Sequence, residues 1–531
     1  MFESPYPDVE IPDISIYDYL FASLEEADLG RVALIDPNAG TETSYGALRT
    51  QIDAFAGALW YREVGTDTVI ALLCPNVPAF ATVFHGALRA GATVTTLNSL
   101  YTAHEIEKQL RDAAATWLIT ASPLLAAAKE AAEAVGIPDD RVIVLDGAEG
   151  YPDLQSLLTE QRPAPVVSFD PATHIAVLPY SSGTTGIPKG VMLTHRNLVA
   201  NVQQARVIID LSADDRVLAV LPFFHIYGLT VLLNLALHER ASLVTMPRFD
   251  LVEFLTTIQR FSCTFLFIAP PIAVALAKHP IVDQFDISSV RTVFSGAAPL
   301  DGDTAEAAGR RIHARVLQGY GMSELSPVSH AVPHGRHDMP LSSIGCLLPN
   351  QQCKLVDIET GAEITDVGEN GETTPGELWI KGPNVMVGYL GKPDATADTL
   401  DADGFLHTGD VAVYNEGGWF SIVDRVKELI KYKGYQIAPA ELEALLLGHP
   451  KIVDAAVIGV LDDDRQEIPK AFVVPAPGGE VTAEEVMSFV AEHVAPYKKV
   501  RRVEFVEAIP KSSSGKILRK DLRAREAAAL G

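Results

Sequence analysis

A dense group of hydroxyl residues surrounds a single lysine in the stretch PYSSGTTGIPKGVMLTH, residues 179–195. Ser181, Ser182, Thr184 and Thr185 supply hydroxyl donors, and Lys189 supplies one positive charge. The glycines between them allow the backbone to approach a ligand closely. Amide and hydroxyl donors around one ammonium group suit a polyphosphate. The stretch lacks the G-x-x-x-x-G-K-[ST] spacing of a P-loop ATPase, so it predicts a phosphate site of another kind.

This loop is expected to lie between two regular elements. The apolar run IAVLPY before it is typical of a strand, and VMLTHRNLVANV after it predicts a strand that runs into a helix capped by Thr194. Elsewhere in the first half, short β-branched runs alternate with longer helical patterns, as in VIALLC (69–74) followed by AFATVFHGALRAG. Such alternation indicates an α/β fold with parallel sheets covered by helices on both faces.

The 531 residues are too many for one hydrophobic core, so several domains are expected. From about residue 344 to residue 421 the chain changes to short strands with turn residues, which is typical of a small β-barrel or sandwich. Beyond residue 425, strand and helix patterns mix in a unit of roughly one hundred residues. The sequence therefore predicts at least one smaller unit after the α/β part.

The charge of the chain is strongly negative and uneven. The formal net charge is -26, which argues against nucleic acid and anionic membranes as partners. From Arg425 to the end there are 17 Lys and Arg against 16 Asp and Glu, whereas the preceding part carries 25 against 52. A nearly neutral tail with clustered lysines on an acidic body predicts a local site for an anion.

The remaining compositional features point to a reduced, cytoplasmic protein. Four cysteines show no zinc-binding spacing, and the start MFESPYPDVEIPD has no signal-peptide pattern. The segment 217–237 has no charge over 21 residues, which is long enough for a membrane span. Pro222, His225 and Gly228 interrupt it, so we predict a buried strand, a functional loop at FFHIYG and a buried helix, without stable membrane insertion.

The stretch SSGTTGIPKG resembles the phosphate loop of the adenylate-forming enzymes, the superfamily of acyl-CoA synthetases, nonribosomal adenylation domains and firefly luciferase. Further motifs follow in the order of that family and cover nearly the whole chain. They are LPFFHIYG (221–228), SGAAPL (295–300), QGYGMSE (318–324), GELWIKGPNVMVGYL (376–390), FLHTGD (405–410), DRVKELIKYKGYQIAPAELE (424–443) and PKSSSGK (510–516). Within the superfamily the chain is most similar to the 4-coumarate–CoA ligase group, including bacterial cinnamate/4-coumarate–CoA ligases.

The resemblance implies a nucleotide site and a two-domain organisation. Asp410 would accept both ribose hydroxyls, Tyr320 would face adenine and Glu324 would bind Mg²⁺. The domains implied are an N-terminal ATP- and acyl-binding domain (1–424), a hinge (425–428) at Lys427 and a mobile α+β C-terminal domain (429–531). The implied ATP- and AMP-binding residues are Ser181, Ser182, Gly183, Thr184, Thr185, Lys189, Gln318, Gly319, Tyr320, Gly321, Ser323, Asp410 and Arg425.

The resemblance also implies the chemistry. Lys516 would bridge the carboxylate and the α-phosphate of ATP in the first half-reaction, where no general base is needed because the nucleophile is already ionised. A thiol would then attack the adenylate, with Lys433 and Gly434 lining its tunnel. Lys431 and Gln436 resemble positions that contact the adenylate, although Lys431 on an ordinary surface helix is an open alternative.

The acyl pocket is expected at FFHIYG and SGAAPL. The family places His225 beside the reacting carboxylate, with a packed core histidine as the alternative. Residues that match pocket positions are Tyr227, Phe294, Ala297, Gly321, Pro327 and Val328. Plant relatives carry Lys at position 294 and Gly at position 297, and a hydroxyl residue where this chain has Val231. These departures predict a more apolar or shallower pocket, unless Phe294 only packs in the core.

The predicted activity is that of an ATP-dependent acid–CoA ligase for cinnamate- or 4-coumarate-type aryl acids. Its substrates would be the acid, ATP and coenzyme A, with Mg²⁺ as cofactor, in a monomer or homodimer. A medium- or long-chain fatty-acyl-CoA ligase is the alternative enzyme. A non-catalytic nucleotide-binding or carrier-interaction protein would not need Lys516, Asp410 and Glu324 together.

Overall fold

The computed structural model describes residues 1–181, 188–432, 435–462, 467–478, 481–512 and 515–530. Within these ranges, no helix combines the length and the apolar character that crossing a membrane requires. The uncharged segment 217–237 instead forms the strand Arg216–Ala219, a π-helix over Tyr227–Asn234 and the short helix Leu235–His238. The wider π turn begins at a predicted acyl-pocket residue, and π segments are frequent at functional sites.

The largest sheet has nine strands, six of which run parallel in its centre. Their near-continuous apolar sequences, such as FLFI and TVFS, are buried, as expected for a sheet covered on both faces. In spatial order the strands are Cys346–Leu347, Val328–Ala331, Arg315–Gly321, Thr292–Ser295, Phe265–Ile268, Arg216–Ala219, Ser242–Thr245, Val32–Asp36 and Thr41–Ser44.

A second large sheet has eight strands and contains both ends of the phosphate loop. Its parallel centre is extended by the antiparallel strand Lys189–Thr194, which pairs with Tyr180–Ser181 across the loop. Thr194 caps the following helix through the Asn197 N–H at 3.1 Å, as predicted. The other strands, in order, are Gly388–Tyr389, then Ile175–Val177, Thr93–Thr96, Val69–Leu73, Trp117–Thr120 and Val142–Val144.

Helices cover the two large sheets, and one apolar core joins both sheets to them. Several helices begin at a side-chain cap, such as Ser44, Thr102 and Asp301. The α-helices are Ile16–Phe21, Glu26–Leu29, Tyr45–Trp60, Pro78–Arg89, Ala103–Asp112, Leu125–Val135, Leu154–Thr159, His195–Ala205, Leu235–His238, Leu251–Phe261, Pro270–Lys278, Gly302–Ile312 and Pro393–Thr399. Short 3-10 helices are Ser122–Leu124, Asp139–Arg141, Pro280–Gln284, Ser323–Leu325 and Pro496–Lys498.

The region expected as a small β-barrel supplies most of a six-stranded antiparallel sheet. Two short strands of this region, Cys346–Leu347 and Gly388–Tyr389, join the large sheets instead. The six strands are Phe2–Glu3, Gln352–Val356, Glu363–Ile364, Gly376–Lys381, Leu406–Asn415 and Trp419–Arg425. The N-terminal strand was not predicted, because its pairing partner lies about 350 residues away in sequence.

The chain after residue 429 has apolar cores of its own, built around Leu442, Val457 and Phe472. Its strands are Ile430–Tyr432, Tyr435–Ile437, Ile452–Leu461, Glu467–Pro475 and Arg502–Phe505, and its helices are Pro439–Leu447, Ala483–His493 and Arg519–Leu530. The predicted α/β class, with helix-covered sheets and a C-terminal α+β part, is confirmed. The four cysteines, Cys74, Cys263, Cys346 and Cys353, are free and buried.

Candidate active site

Asp410 lies at the centre of a hydrogen-bonded group formed by two sheets. The Tyr320 hydroxyl donates to Asp410 Oδ2 at 2.5 Å, and Arg425 Nε lies 2.9 Å from Asp410 Oδ1. Asp410 and Arg425 are register partners on adjacent strands, whereas Tyr320 is the penultimate residue of the strand Arg315–Gly321 in the nine-stranded sheet. Burial, followed by the Asp410 charge, raises the pKa of Tyr320 far above its ordinary value, so its hydroxyl remains a donor.

The backbone around Asp410 holds the carboxylate in place. Thr408 Oγ1 accepts from the Asp410 N–H at 3.1 Å and donates to the Leu378 carbonyl at 2.6 Å. Gly409 between them has a φ of 70°, in the left-handed region that glycine enters without strain. Burial lowers the pKa of Arg425, but the charges of Asp410, Tyr320, Glu428 and Glu324 together outweigh burial, and the pKa is raised.

A second polar group joins both large sheets at Glu324. Its Oε1 accepts from the Ser181 hydroxyl at 3.0 Å and from the Tyr389 hydroxyl at 2.8 Å. Lys189 Nζ lies 4.7 Å from the centroid of the Tyr389 ring, a cation–π contact. Ser181 and Lys189, which flank the predicted phosphate loop, therefore lie close to the predicted metal ligand.

The residues of this site fit a Mg²⁺ ion for which substrate oxygens and water supply most of the ligands. The described residues contain no cluster of three or more His, Cys, Asp or Glu side chains suited to a metal. Within the described residues, the two side-chain hydrogen bonds to the Glu324 carboxylate are both accepted by Oε1. A single carboxylate oxygen matches the way Mg²⁺ is commonly held, through one or two carboxylates, substrate phosphates and water.

Lys516 reaches this site from the C-terminal part. Burial and the charge of Arg425 lower its pKa to about 8, against the opposing charges of Asp410 and Glu324. Its loop contacts the helix Pro270–Lys278, since a Cβ on Gly515 would lie 3.1 Å from Pro271 Cδ. The ammonium therefore lies within electrostatic range of the predicted nucleotide residues Arg425 and Asp410 and of the predicted metal ligand Glu324.

His225 is a neutral imidazole within electrostatic range of Lys516. Burial, and then the Lys516 charge, lowers the pKa of His225 to about 4. Its Nδ1 accepts from the Tyr227 N–H at 3.3 Å, so the ring proton lies on Nε2. His225 can thus donate one hydrogen bond without adding a charge.

The predicted acyl-pocket residues lie together at the ends of the central strands. The Tyr227 hydroxyl donates to the Phe294 carbonyl at 3.2 Å, and the Phe294 ring contacts Phe267 edge-on at 5.9 Å between centroids. A Cβ on Gly319 would lie 2.7 Å from Phe294 Cζ, so this glycine makes room for the ring. Ala297 has a φ of 71°, a strained value for a residue with a Cβ.

Two buried amide side chains hold backbone segments of the predicted acyl pocket. Gln318, predicted to bind the nucleotide, is held by backbone: its Oε1 accepts from the Leu300 N–H at 3.1 Å and its Nε2 donates to the Leu300 carbonyl at 2.7 Å. Asn201 brackets Val328 in the same way, at 3.1 and 2.7 Å. The sequence analysis missed Asn201 and Tyr389, because each acts through a partner distant in sequence. It also missed Thr408, whose hydroxyl joins the neighbouring Asp410 to Leu378 on the adjacent strand.

Other predicted residues lie outside this group or outside the described part of the chain. Gly321 and Pro327 are in contact, since a Cβ on Gly321 would lie 2.0 Å from the Pro327 carbonyl oxygen. Ser323 begins the turn that carries Glu324. Lys431 and Lys427 are exposed. The predictions that fall outside the described residues are Ser182, Gly183, Thr184, Thr185, Lys433, Gly434 and the side chain of Gln436.

Residues 21–390 match the family of the AMP-binding enzymes, and residues 441–516 match the AMP-binding enzyme C-terminal domain. This chain belongs to the AMP-binding enzyme family. Among similar proteins, 4-coumarate–CoA ligase 3 of Oryza sativa subsp. japonica is 40% identical over 100% of this AMP-binding enzyme and 96% of its own length. The 4-coumarate–CoA ligase of Pinus taeda is 43% identical, over 99% of this chain and 98% of its own.

A solved structure shows the same fold over nearly the whole length. The anthranilate CoA ligase AuaEII in complex with anthranoyl-AMP has a TM-score of 0.89 and 25% sequence identity, and the match covers 98% of this chain and 99% of that one. The predicted membership in the adenylate-forming superfamily and its 4-coumarate–CoA ligase group is confirmed.

Proposed function

We propose that this AMP-binding enzyme joins cinnamate- or 4-coumarate-type aryl acids to coenzyme A through an acyl-adenylate. The observation that carries the proposal is the position of Lys516, a partly buried ammonium whose loop packs on Pro271 and which lies within electrostatic range of Asp410, Glu324 and His225. A protein that only bound a nucleotide would have no use for a desolvated lysine there. The full-length similarity to 4-coumarate–CoA ligases supports the acid and the thiol.

In the first half-reaction, a carboxylate oxygen of the acid forms a bond to the α-phosphorus of ATP while the bond to pyrophosphate breaks. Both reactants are anions, so the Lys516 ammonium would lower their repulsion and orient them. The neutral His225 would donate from Nε2 to an oxygen of the acid. Asp410 would accept hydrogen bonds from the ribose hydroxyls, and Arg425 would hold the Asp410 carboxylate in place. Tyr320 would contact adenine. Ser181, Lys189 and Ser323 would serve the phosphates.

Glu324 would hold Mg²⁺, together with oxygens of the substrate and water. When bound, the ion would neutralise phosphate charge and orient the leaving pyrophosphate. The Tyr389 and Ser181 hydroxyls keep the Glu324 carboxylate oriented for this role.

In the second half-reaction, the sulfur of coenzyme A forms a bond to the acyl carbonyl, AMP leaves and the thiol proton passes to solvent. Lys516 would have to leave the site first, by rotation of the C-terminal domain (429–531) at Lys427. Lys431, Lys433, Gly434 and Gln436 would then face the adenylate and the thiol. The exposure of Lys431 and Lys427 in the present arrangement is compatible with such a rotation.

The pocket favours an apolar aromatic acyl group. The Tyr227 hydroxyl is already used by the Phe294 carbonyl, and Phe294 and Val231 offer no polar group to a ring hydroxyl. A cinnamate without a 4-hydroxyl would therefore bind about as well as 4-coumarate. The location and oligomeric state remain predictions: a cytoplasmic monomer or homodimer, for which the four free buried thiols are compatible with a reducing compartment.

The test is pyrophosphate release with ATP and Mg²⁺ for cinnamate, 4-coumarate, caffeate, benzoate, octanoate and palmitate, with and without coenzyme A. We expect the highest kcat/KM for the cinnamates, each with its CoA thioester as product. Preference for octanoate or palmitate would keep the mechanism and refute the aryl substrate. Lys516→Ala should abolish turnover while ATP still binds.

A further inference from the structure

The helix Pro439–Leu447 of the C-terminal part has no N-terminal cap of its own. Its N-cap residue is Ala438, whose side chain accepts no hydrogen bond, and Pro439 has no N–H to donate. The first free N–H is therefore that of Ala440. It donates to Asp424 Oδ2 at 2.9 Å. A residue on the other side of the predicted hinge (425–428) thus caps this helix.

Asp424 belongs to the N-terminal part by its pairing. It lies on the strand Trp419–Arg425 and is the register partner of Val411 in the six-stranded sheet. Its side chain is buried, and Oδ1 also accepts from the Arg425 N–H at 2.6 Å. The carboxylate is therefore fixed relative to the nucleotide site, whereas Ala440 moves with whatever moves the C-terminal part.

The opposite end of the same helix also contacts the N-terminal part. Lys278 Nζ donates to the carbonyl of Leu447, the last residue of the helix, at 3.5 Å. A carboxylate at the N-terminus and an ammonium at the C-terminus both match the helix dipole. Each end of the helix is thus held by a charge of the favourable sign, and both charges precede the hinge.

The helix is in turn linked to the loop of Lys516. Glu443, within the helix, pairs with Arg519 at 2.6 Å and accepts from the Val457 N–H at 2.8 Å. Arg519 begins the last helix, three residues after Lys516. Because these contacts are buried and charged, the position of the helix Pro439–Leu447 fixes the position of the Lys516 loop.

We propose that Asp424 is a positioning residue which, assisted by Lys278, clamps the helix Pro439–Leu447 and so keeps Lys516 in the site of adenylate formation. Opening of this clamp accompanies the change from adenylate formation to thioester formation. The inference rests on the proposed function, because it assigns the clamp to one of the two half-reactions.

The half-reactions are measured separately in the full-length chain. Adenylate formation is followed as pyrophosphate release in single turnover, and thioester formation is followed from chemically prepared cinnamoyl-AMP and coenzyme A. Asp424→Ala should slow adenylate formation about tenfold, as loss of a helix cap implies, and leave thioester formation unchanged or faster. Asp424→Asn, which keeps an acceptor oxygen for Ala440, should recover most of the rate. Lys278→Ala should slow adenylate formation alone, by about twofold.

Asp250→Ala is the matched control. Asp250 caps the helix Leu251–Phe261 through the Glu253 N–H at 3.0 Å, entirely within the N-terminal part. The ratio of the two half-reaction rates should be unchanged in this variant. An equal loss in both half-reactions for Asp424→Ala, or no loss in either, would overturn the clamp.

A second readout does not depend on turnover. Trypsin should cleave the folded Asp424→Ala variant after the exposed Lys427 at least about fivefold faster than it cleaves the parent chain and the Asp250→Ala control. Equal cleavage rates would overturn the clamp. If the parent chain forms no adenylate from any acid, the proposed function is refuted. If the cleavage rates still differ in that case, the contact of Asp424 with the helix Pro439–Leu447 is supported independently of the function.

Discussion

The hydroxyl of Tyr320 lies 2.5 Å from Asp410 Oδ2, although 90 residues separate the two in sequence. The bond joins the nine-stranded sheet to the six-stranded sheet at the place where the nucleotide is expected. Tyr320 therefore has a second role besides offering its ring to adenine, because its hydroxyl fixes the Asp410 carboxylate that would bind the ribose.

Tyr320→Phe should raise the KM for ATP about tenfold, because a hydrogen bond to a charged group is lost while the ring remains. The kcat of adenylate formation should change less. Steady-state pyrophosphate release against ATP concentration measures both. Tyr414→Phe, on the same strand as Asp410, is the control and should leave the KM unchanged. An unchanged KM in Tyr320→Phe would show that Asp410 is held sufficiently by Arg425.

The rate of adenylate formation should fall as the pH rises through about 8, which is the lowered pKa of Lys516. Below this pH the ammonium is charged and can bridge the two anions, and above it the amine is neutral. The measurement is kcat/KM for the acid from pH 6 to 10, whose fall at high pH (the alkaline limb of the profile) reports the pKa of the free enzyme. Lys516→Arg should lack the limb, because a guanidinium stays charged.

The same pH series tests His225. Since burial lowers its pKa to about 4, the imidazole is neutral throughout the measured range. No second limb should therefore occur near its ordinary value of 6.5. A limb there that vanishes in His225→Asn would contradict the assignment of His225 as a neutral donor.

Glu324→Gln should weaken the apparent affinity for Mg²⁺ by at least about tenfold and slow adenylate formation, because an amide is a poorer ligand than a carboxylate. The measurement is the rate of pyrophosphate release at increasing Mg²⁺. Tyr389→Phe keeps the carboxylate and removes only the hydroxyl 2.8 Å from Oε1, so its effect should be smaller and in the same direction. If Mg²⁺ dependence is identical in all three proteins, Glu324 is not the ligand.

Phe294→Leu separates a role in specificity from a role in packing. A shorter side chain opens the pocket beside Gly319, so kcat/KM for 4-hydroxy-3-methoxycinnamate relative to cinnamate should rise about tenfold. The free energy of unfolding should fall by about 1 kcal/mol. Phe265→Leu, a neighbour of Phe267 in the same sheet, should lower stability similarly without changing the ratio. A constant ratio in Phe294→Leu would leave only packing.

The sequence predicted those features that depend on local pattern. The parallel α/β layers follow from alternating apolar runs and helical periods, and the Thr194 cap follows from a capping residue before an apolar helix. The family resemblance assigned Lys516 and Asp410 to one active site, and in the structure the Asp410 charge acts on the Lys516 ammonium. These inferences need only neighbouring residues or a family pattern.

Features that depend on distant partners were not predictable in this way. The Tyr389 hydroxyl donates to Glu324 across 65 residues, and Asp424 caps a helix that begins beyond the predicted hinge. The π-helix Tyr227–Asn234 is likewise invisible in an apolar run, because hydrophobicity does not distinguish a π turn from an α turn. In each case tertiary packing decides among local options that have similar energies.

The burial of the four cysteines has a chemical consequence for a protein that makes acyl-adenylates. Burial raises the pKa of all four thiols, and the thiolate is the reactive form. The enzyme's own sulfur atoms are thus protected from self-acylation by the electrophile it generates. Buried thiols should also react slowly with maleimides, so that one cysteine introduced on each side of Lys427 and labelled with a fluorophore would report the proposed domain movement.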